Sequence, residues 1–193
     1  MSKTLIVGIG GTPKNGSTTE QSLSIALAAA KATGAETRMF GGRYLSELPL
    51  YLTWKSKAAG TEMIEAIRAA DGVIIASPGY HGTISGAVKN AIDYIEETAK
   101  DARTYLDGVP VGLIVTAYGW QATGSALITM RSIVHALRGW PTPFGATINT
   151  SGNVFQHGVC TDEAADKQLR LVGRQVATFA GLKLADPAIM ETV

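Results

Sequence analysis

Short apolar runs alternate along the chain with longer stretches in which apolar residues recur every three or four positions. The runs are TLIVGI (4–9), ETRMF (36–40), GVIIAS (72–77), VPVGLIVTA (109–117) and FGATIN (144–149). Four of them are apolar almost throughout, the pattern of strands in a parallel sheet covered on both faces. Between the runs lie five helical stripes. The first is Leu23, Ala26, Leu27 and Ala30, and the second Met63, Ile64, Ile67 and Ala70. Val88, Ala91, Ile92 and Ile95 form the third, Leu127, Met130, Val134 and Leu137 the fourth, and Leu169, Val172, Val176 and Phe179 the fifth. All are read as core-facing positions.

Strand and helix alternate five times, with no internal repeat and no low-complexity linker. That order predicts one doubly wound α/β domain over residues 1–193. Five strands favour the flavodoxin-like arrangement over a six-stranded dinucleotide fold, giving a three-layer sandwich around a five-stranded parallel sheet. Ligands of such sheets gather beyond the carboxyl ends of the strands. The chemistry is therefore sought in the loops at 10–17, 41–58, 78–84 and 117–124.

Composition narrows the classes of function. Apolar residues make up 46% and charged residues 17% of 193, as in a compact enzyme rather than a disordered chain. The formal charge of +1 leaves no basic footprint for nucleic acid. No run reaches the ~20 apolar residues of a membrane span, and the first residues lack a signal-peptide pattern. Cys160 is the single cysteine, which fits a reducing compartment, so a cytoplasmic location is expected. Asn15-Gly16-Ser17 and Asn149-Thr150-Ser151 match the glycosylation pattern, a coincidence in such a chain.

The stretch GGTPKNGSTTEQ (10–21), between the first strand and the first stripe, has the composition of a phosphate loop. It is not a Walker loop, because Ser17 stands where the lysine is required. It is not a dinucleotide fingerprint either: Pro13 replaces the third glycine, and no acidic residue follows the second strand. A monophosphate nest fits better. Thr12, Ser17, Thr18 and Thr19 offer hydroxyls, Gly11 and Gly16 let backbone N–H groups approach, Lys14 adds one charge, and a helix starting near Ser17 aims its positive end there. An ordinary strand-to-helix turn with a serine cap would read the same way on this stretch alone.

Two more loops decide between these readings. SPGYHGTISGAVKNAIDYI (77–95) opens on a glycine-rich turn in which Pro78, Gly79 and Gly82 expose backbone and Tyr80 and His81 add flat side chains. Such backbone can pair with the polar edge of a planar heterocycle. The fourth run ends in TAYGWQATG (116–124), where Ala117 and Gly119 flank Tyr118 and Trp120 follows. One phosphate nest beside two aromatic, glycine-bearing loops describes a site for a phosphorylated planar ring, and flavin mononucleotide (FMN) fits better than any dinucleotide.

At these residues the chain resembles the NAD(P)H-dependent FMN reductase family of flavodoxin-like proteins. GTPKNGSTTEQSL is similar to that family's phosphate loop, G-S-x-R-x-x-S, and SPGYHGTISGAVKNAIDYI to its flavin-ring loop, S-P-x-Y-[NH]-G-x-x-x-G-x-x-K-N-x-[IL]-D. The likeness runs over residues 1–180. It implies phosphate contacts at Thr12, Lys14, Ser17 and Thr19, and ring contacts at Pro78, Gly79, Tyr80 and His81. The third loop departs from the family's small-residue pattern, so Tyr118 and Trp120 are expected to shape the substrate face.

The expected activity is hydride transfer from NADH or NADPH to FMN, then electron transfer to free flavin, a quinone, an azo compound or a metal oxyanion. The cofactor carries this chemistry, so no catalytic acid, base or nucleophile is assigned. His81 is read as a loop-holding residue, His135 as solvated, and His157 as lacking partners for a metal. Lys89, Asn90 and Asp93 are assigned to capping or subunit contact. The alternative is an FMN-dependent dehydrogenase of one biosynthetic metabolite. A flavodoxin-type carrier disagrees with the near-neutral charge, and a phospho-acceptor receiver lacks its acids, with Gly8, Gly10 and Ser77 in their places. A flavin at a sheet edge leaves one ring face open, which predicts a homodimer or homotetramer. The connection at 41–60 and the helix at 85–99 are its expected contact surfaces.

Overall fold

The computed structural model describes residues 3–14, 16–54 and 56–185. At its centre β1 (Leu5–Gly10) lies between β2 (Glu36–Phe40) and β3 (Gly72–Tyr80), and β3 pairs onward with β5 (Pro110–Ala117), all in parallel. The next position along β5 is shared. β6 (Trp140–Pro141) runs beside Pro110 and Val111, and β7 (Ala146–Asn149) beside Ile114 to Ala117. The two-residue β4 (Thr83–Ile84) folds back antiparallel on the end of β3.

The order β2-β1-β3-β5 with the edge position last is the flavodoxin-like one, but the sheet has seven strands, not five. The edge breaks for a physical reason: Pro143 has no N–H to give the ladder. Thr142 N still donates to Val111 O at 2.9 Å, while Phe144 N turns away to Gln175 Oε1 at 3.1 Å. A separate small hairpin, β8 (Phe155–Gln156) with β9 (Val159–Cys160), follows.

Side chains alternate along the strands and divide the interior into two cores. Ile6, Ile74 and Ile114 face α1 (Thr18–Lys31) and α6 (Glu163–Ala185). Val7, Val73, Ile75 and Leu113 face α3 (Ser56–Ala69), α4 (Gly86–Asp93) and α5 (Trp120–Ala136). The stripes of α1, α3 and α4 are buried as the periodicity predicts. In α6 the last position fails: Phe179 is exposed, and Ala177 and Ala180 are buried instead. Small residues are needed because α6 runs close to α1, and a Cβ on Gly173 would stand 1.9 Å from Ala26 O.

The connection at 41–60 is shorter than its composition suggests. Gly42–Glu47 forms α2, in which Leu45 is buried and Tyr44 sets its ring edge-on to Phe40 at 4.9 Å. The expected helix at 85–99 is α4 followed by a 3₁₀ turn over Tyr94–Thr98. Among the described residues, no helix is long and apolar enough to cross a membrane.

Candidate functional site

The phosphate-type loop leaves β1 through Gly10 and Gly11, at φ 154° and 129°. A Cβ on Gly10 would stand 2.1 Å from Ala76 O, so the loop turns off the sheet where only glycine fits. Ser17 caps α1: its Oγ accepts from Glu20 N at 3.3 Å, leaving the hydroxyl proton to donate outward. The first intrahelical bond runs from Gln21 N to Ser17 O, so by helix geometry the N–H groups of Thr18 and Thr19 point out of the N-terminus. Thr12 Oγ1 accepts from Lys14 N at 3.3 Å, and Lys14 itself is exposed. Asn15 lies outside the described residues.

Thr19 is placed differently from Thr12, Ser17 and Thr18. Its side chain is 2% exposed, and its hydroxyl pairs with Thr116 Oγ1 at 2.6 Å. Its backbone N–H faces the loop, whereas its hydroxyl ties the first turn of α1 to the end of β5.

The ring loop is a two-residue hairpin. Tyr80 pairs with Thr83 across His81 and Gly82, whose φ values of 49° and 88° are those of a type I′ turn. His81 thus holds a left-handed turn position with its side chain exposed. Pro78 is buried, Gly79 half-buried and Tyr80 exposed. Beneath the hairpin, Ser77 Oγ accepts from Ser85 N at 3.0 Å and donates to Pro78 O at 2.9 Å, which binds β3 to the start of α4. A Cβ on Gly79 would meet Ala122 O at 3.1 Å and Ala117 Cβ at 3.2 Å, so this hairpin lies directly against the third loop.

The third loop runs from Ala117, buried at the end of β5, through Gly119 into Trp120, the first residue of α5. Tyr118 and Trp120 stand 82% and 63% exposed. The residue that reasoning from sequence missed is Asn149, whose Oδ1 accepts from Gly119 N at 3.0 Å. No local pattern signals it, because the two residues are thirty positions apart and meet only through the pairing of β5 with β7.

Each of the three loops carries one glycine with positive φ and open space on its Cβ side: Gly16 at 62°, Gly82 at 88° and Gly119 at 123°. A ligand can approach bare backbone at all three. Hydroxyl and N–H donors collect at the α1 end, and flat exposed side chains at the other two loops. That donor set fits one phosphate and one planar ring, as FMN requires. Among the described residues, no three His, Cys, Asp or Glu side chains gather as a metal site.

Comparison with known proteins agrees with this arrangement. The family model described as NADPH-dependent FMN reductase matches residues 4–152. A protein named NADPH azoreductase from Bacillus sp. (strain OY1-2) is 33% identical over 91 residues, covering 46% of this chain and 48% of that protein. The FMN-dependent NADPH-azoreductase of Staphylococcus haemolyticus (strain JCSC1435) is 37% identical over 79 residues, covering 41% of this chain and 38% of its own. The match thus spans less than half of each relative. Among solved structures, an NADH:FMN oxidoreductase (EMOB) in its apo form superposes with a TM-score of 0.75 at 20% identity, covering 97% of this chain and 94% of that one. FerB, an NAD(P)H:acceptor oxidoreductase from Paracoccus denitrificans, gives 0.74 at 17% identity, over 93% and 98%. These likenesses show the fold. With the family model covering all three loops and Asn149, the chain belongs to the NADPH-dependent FMN reductase family.

Proposed function

We propose that the protein is an FMN-dependent oxidoreductase that takes a hydride from NADPH or NADH and passes electrons to a small acceptor. The observation that carries this reading is the set of three open, positive-φ glycines, one on each loop at the carboxyl edge of the sheet. Thr12, Lys14, Gly16, Ser17 and Thr18, with the N–H of Thr19, would hold the phosphate. Pro78 to Gly82 and Ala117 to Gly119 would border the ring. When bound, FMN supplies the two-electron relay between nicotinamide and acceptor.

The chain's own part is positioning. The α1 N-terminus and Ser17 fix the anionic end. The type I′ hairpin presents backbone at a set angle because Ser77 locks both its legs. Tyr118 and Trp120 offer apolar faces beside which a second flat molecule can lie. Their exposure leaves the third loop open, which supports a reductase of small acceptors over a dehydrogenase enclosing one metabolite. Two relatives are named azoreductases, so azo compounds and quinones are the first acceptors to try.

A homodimer or homotetramer in the cytoplasm completes the proposal. The exposed Leu50, Leu52, Tyr118 and Trp120 support the first part, and the free Cys160 the second. The test is extraction of the bound ligand and its mass, followed by anaerobic bleaching with each nicotinamide. FMN and rapid bleaching are expected. FAD, no flavin, or bleaching only by an organic metabolite would overturn the reductase reading.

A further inference from the structure

Asn149 ends β7 and turns its side chain back toward the third loop. One atom, Oδ1, takes two backbone donors: Gly119 N at 3.0 Å and Ser151 N at 3.0 Å. Both partners are N–H groups, which identifies that atom as the carbonyl oxygen. The bond to Ser151 is a local turn of the kind asparagine often makes. The bond to Gly119 reaches across the sheet edge to a different loop.

Gly119 is where that loop most needs support. At φ 123° and ψ 147° it occupies backbone space that is essentially restricted to glycine. It heads α5 without a side-chain cap, so nothing of its own fixes the turn. Its N–H also lies 3.1 Å from Ala117 O, and Ala117 O in turn accepts from Thr150 N at 2.8 Å. The passage from β5 to α5 is therefore strapped to residues 149 and 150. The side chains on either side of Gly119, Tyr118 and Trp120, are 82% and 63% exposed. With so little packing, their direction follows from the backbone that carries them.

We propose that Asn149 is the positioning residue of the acceptor face: by holding Gly119 it sets the angle at which Tyr118 and Trp120 border the second substrate. The proposal rests on the flavin-reductase reading of the site. Among the described residues, Asn149 makes no hydrogen bond to the phosphate loop or to the hairpin at 78–82, so its influence reaches the site through residues 118–120.

The experiment compares Asn149→Ala, Asn149→Asp and the parent as holoproteins. The alanine removes the acceptor atom; the aspartate keeps an oxygen in its place. FMN content and the anaerobic rate of reduction by NADPH should stay within about twofold of the parent in both variants. For Asn149→Ala, KM toward quinones and azo dyes of increasing size should shift by roughly 5- to 30-fold, with kcat changing less. Asn149→Asp should return KM to the parent's values. In a Tyr118→Gly, Trp120→Gly background, Asn149→Ala should add nothing further.

Equal KM across the panel in parent and Asn149→Ala would overturn the proposal, as would failure of the aspartate to restore it or a full additive effect without the aromatics. If Asn149→Ala does not fold, Asn149→Ser, whose oxygen reaches less far, replaces it with the same expectations. Hydrogen exchange at amides 118–120 separates this proposal from the reading beneath it. Exchange should quicken in Asn149→Ala and not in Asn149→Asp, with or without flavin; no change overturns the positioning role. A parent that takes up no FMN overturns the reductase reading alone.

Discussion

Ser17 carries two duties that a single substitution confounds. It caps α1 through Glu20 N, and in the proposed site it offers a proton to the phosphate. Alanine would remove both, costing about 0.5–2 kcal/mol of helix stability besides any ligand affinity. Aspartate separates them, since it caps as well as serine but sets a negative charge against the phosphate. Ser17→Asp should therefore keep the apo melting temperature while weakening FMN binding at least about tenfold, roughly 1.4 kcal/mol. Unchanged affinity by flavin fluorescence titration would contradict the phosphate-loop reading. Thr19 shows where sequence falls short. Thr18 and Thr19 are the same residue type in the same loop, and only helix phase distinguishes them: Thr19 shares the face of Leu23, Ala26 and Ala30. That stripe was readable, and extending it one turn back would have placed Thr19 inside. Removing one hydroxyl of its pair, as in Thr116→Val, should cost about 1–3 kcal/mol because Thr19 is left buried and unpaired. Thr19→Val on top should recover most of that loss, and chemical denaturation of the four proteins measures the coupling.

At the scale of elements, legibility follows burial. The strands β1, β3 and β5 are buried along nearly all their length, so their apolar runs mark them closely. At the edge FGATIN marks β7, whereas β6, two residues long and cut off from it by Pro143, is too short to read. Short α2 is hidden for the same reason: a glycine cap and two buried residues make too little periodicity to read. The segment after α2 is nonetheless firmly held. Asn90 Oδ1 accepts from Tyr51 N at 2.9 Å, its Nδ2 donates to Pro49 O at 2.9 Å, and Tyr94 OH reaches the same carbonyl at 2.8 Å. Tyr51 OH closes the clamp on Glu97 Oε1 at 3.1 Å. Burial first, then the Glu97 contact, push the Tyr51 hydroxyl above its ordinary value of 10.0. A folded value above the unfolded one means that the clamp contributes fully below about pH 10 and loses that contribution as pH climbs through the raised value. Trp54 fluorescence should accordingly hold steady up to about pH 10 and change only as pH rises beyond it, and Tyr51→Phe should flatten that change. A parent profile identical to that of Tyr51→Phe would show that the hydroxyl does not hold the segment.

For the whole molecule, the decisive feature is how unevenly apolar surface is distributed. The segment between α2 and α3 lies along α4 and the 3₁₀ turn after it, held by Asn90, Tyr94 and Glu97. Leu50, Leu52 and Trp54 on that segment, with Tyr80, Tyr118 and Trp120, are all exposed, Trp54 at 89%. A single chain seldom leaves so many large apolar side chains exposed unless another surface covers some of them. A second copy is the economical partner, because the clamp on Asn90 already holds Leu50 and Leu52 in fixed display, and a two-fold contact needs only one such patch. The parent should therefore scatter light as a dimer or tetramer at micromolar concentration. Replacing Leu50 and Leu52 by aspartate puts charges into that patch without touching the clamp bonds, which run through Tyr51, Asn90 and Tyr94. That variant should shift to the monomer while keeping the parent's secondary structure by circular dichroism. If the contact also covers the open face of the flavin, the monomer should lose FMN on gel filtration that the parent retains. A parent that is monomeric with FMN in place would show that one chain suffices, and the exposed edge would then belong to the substrates alone.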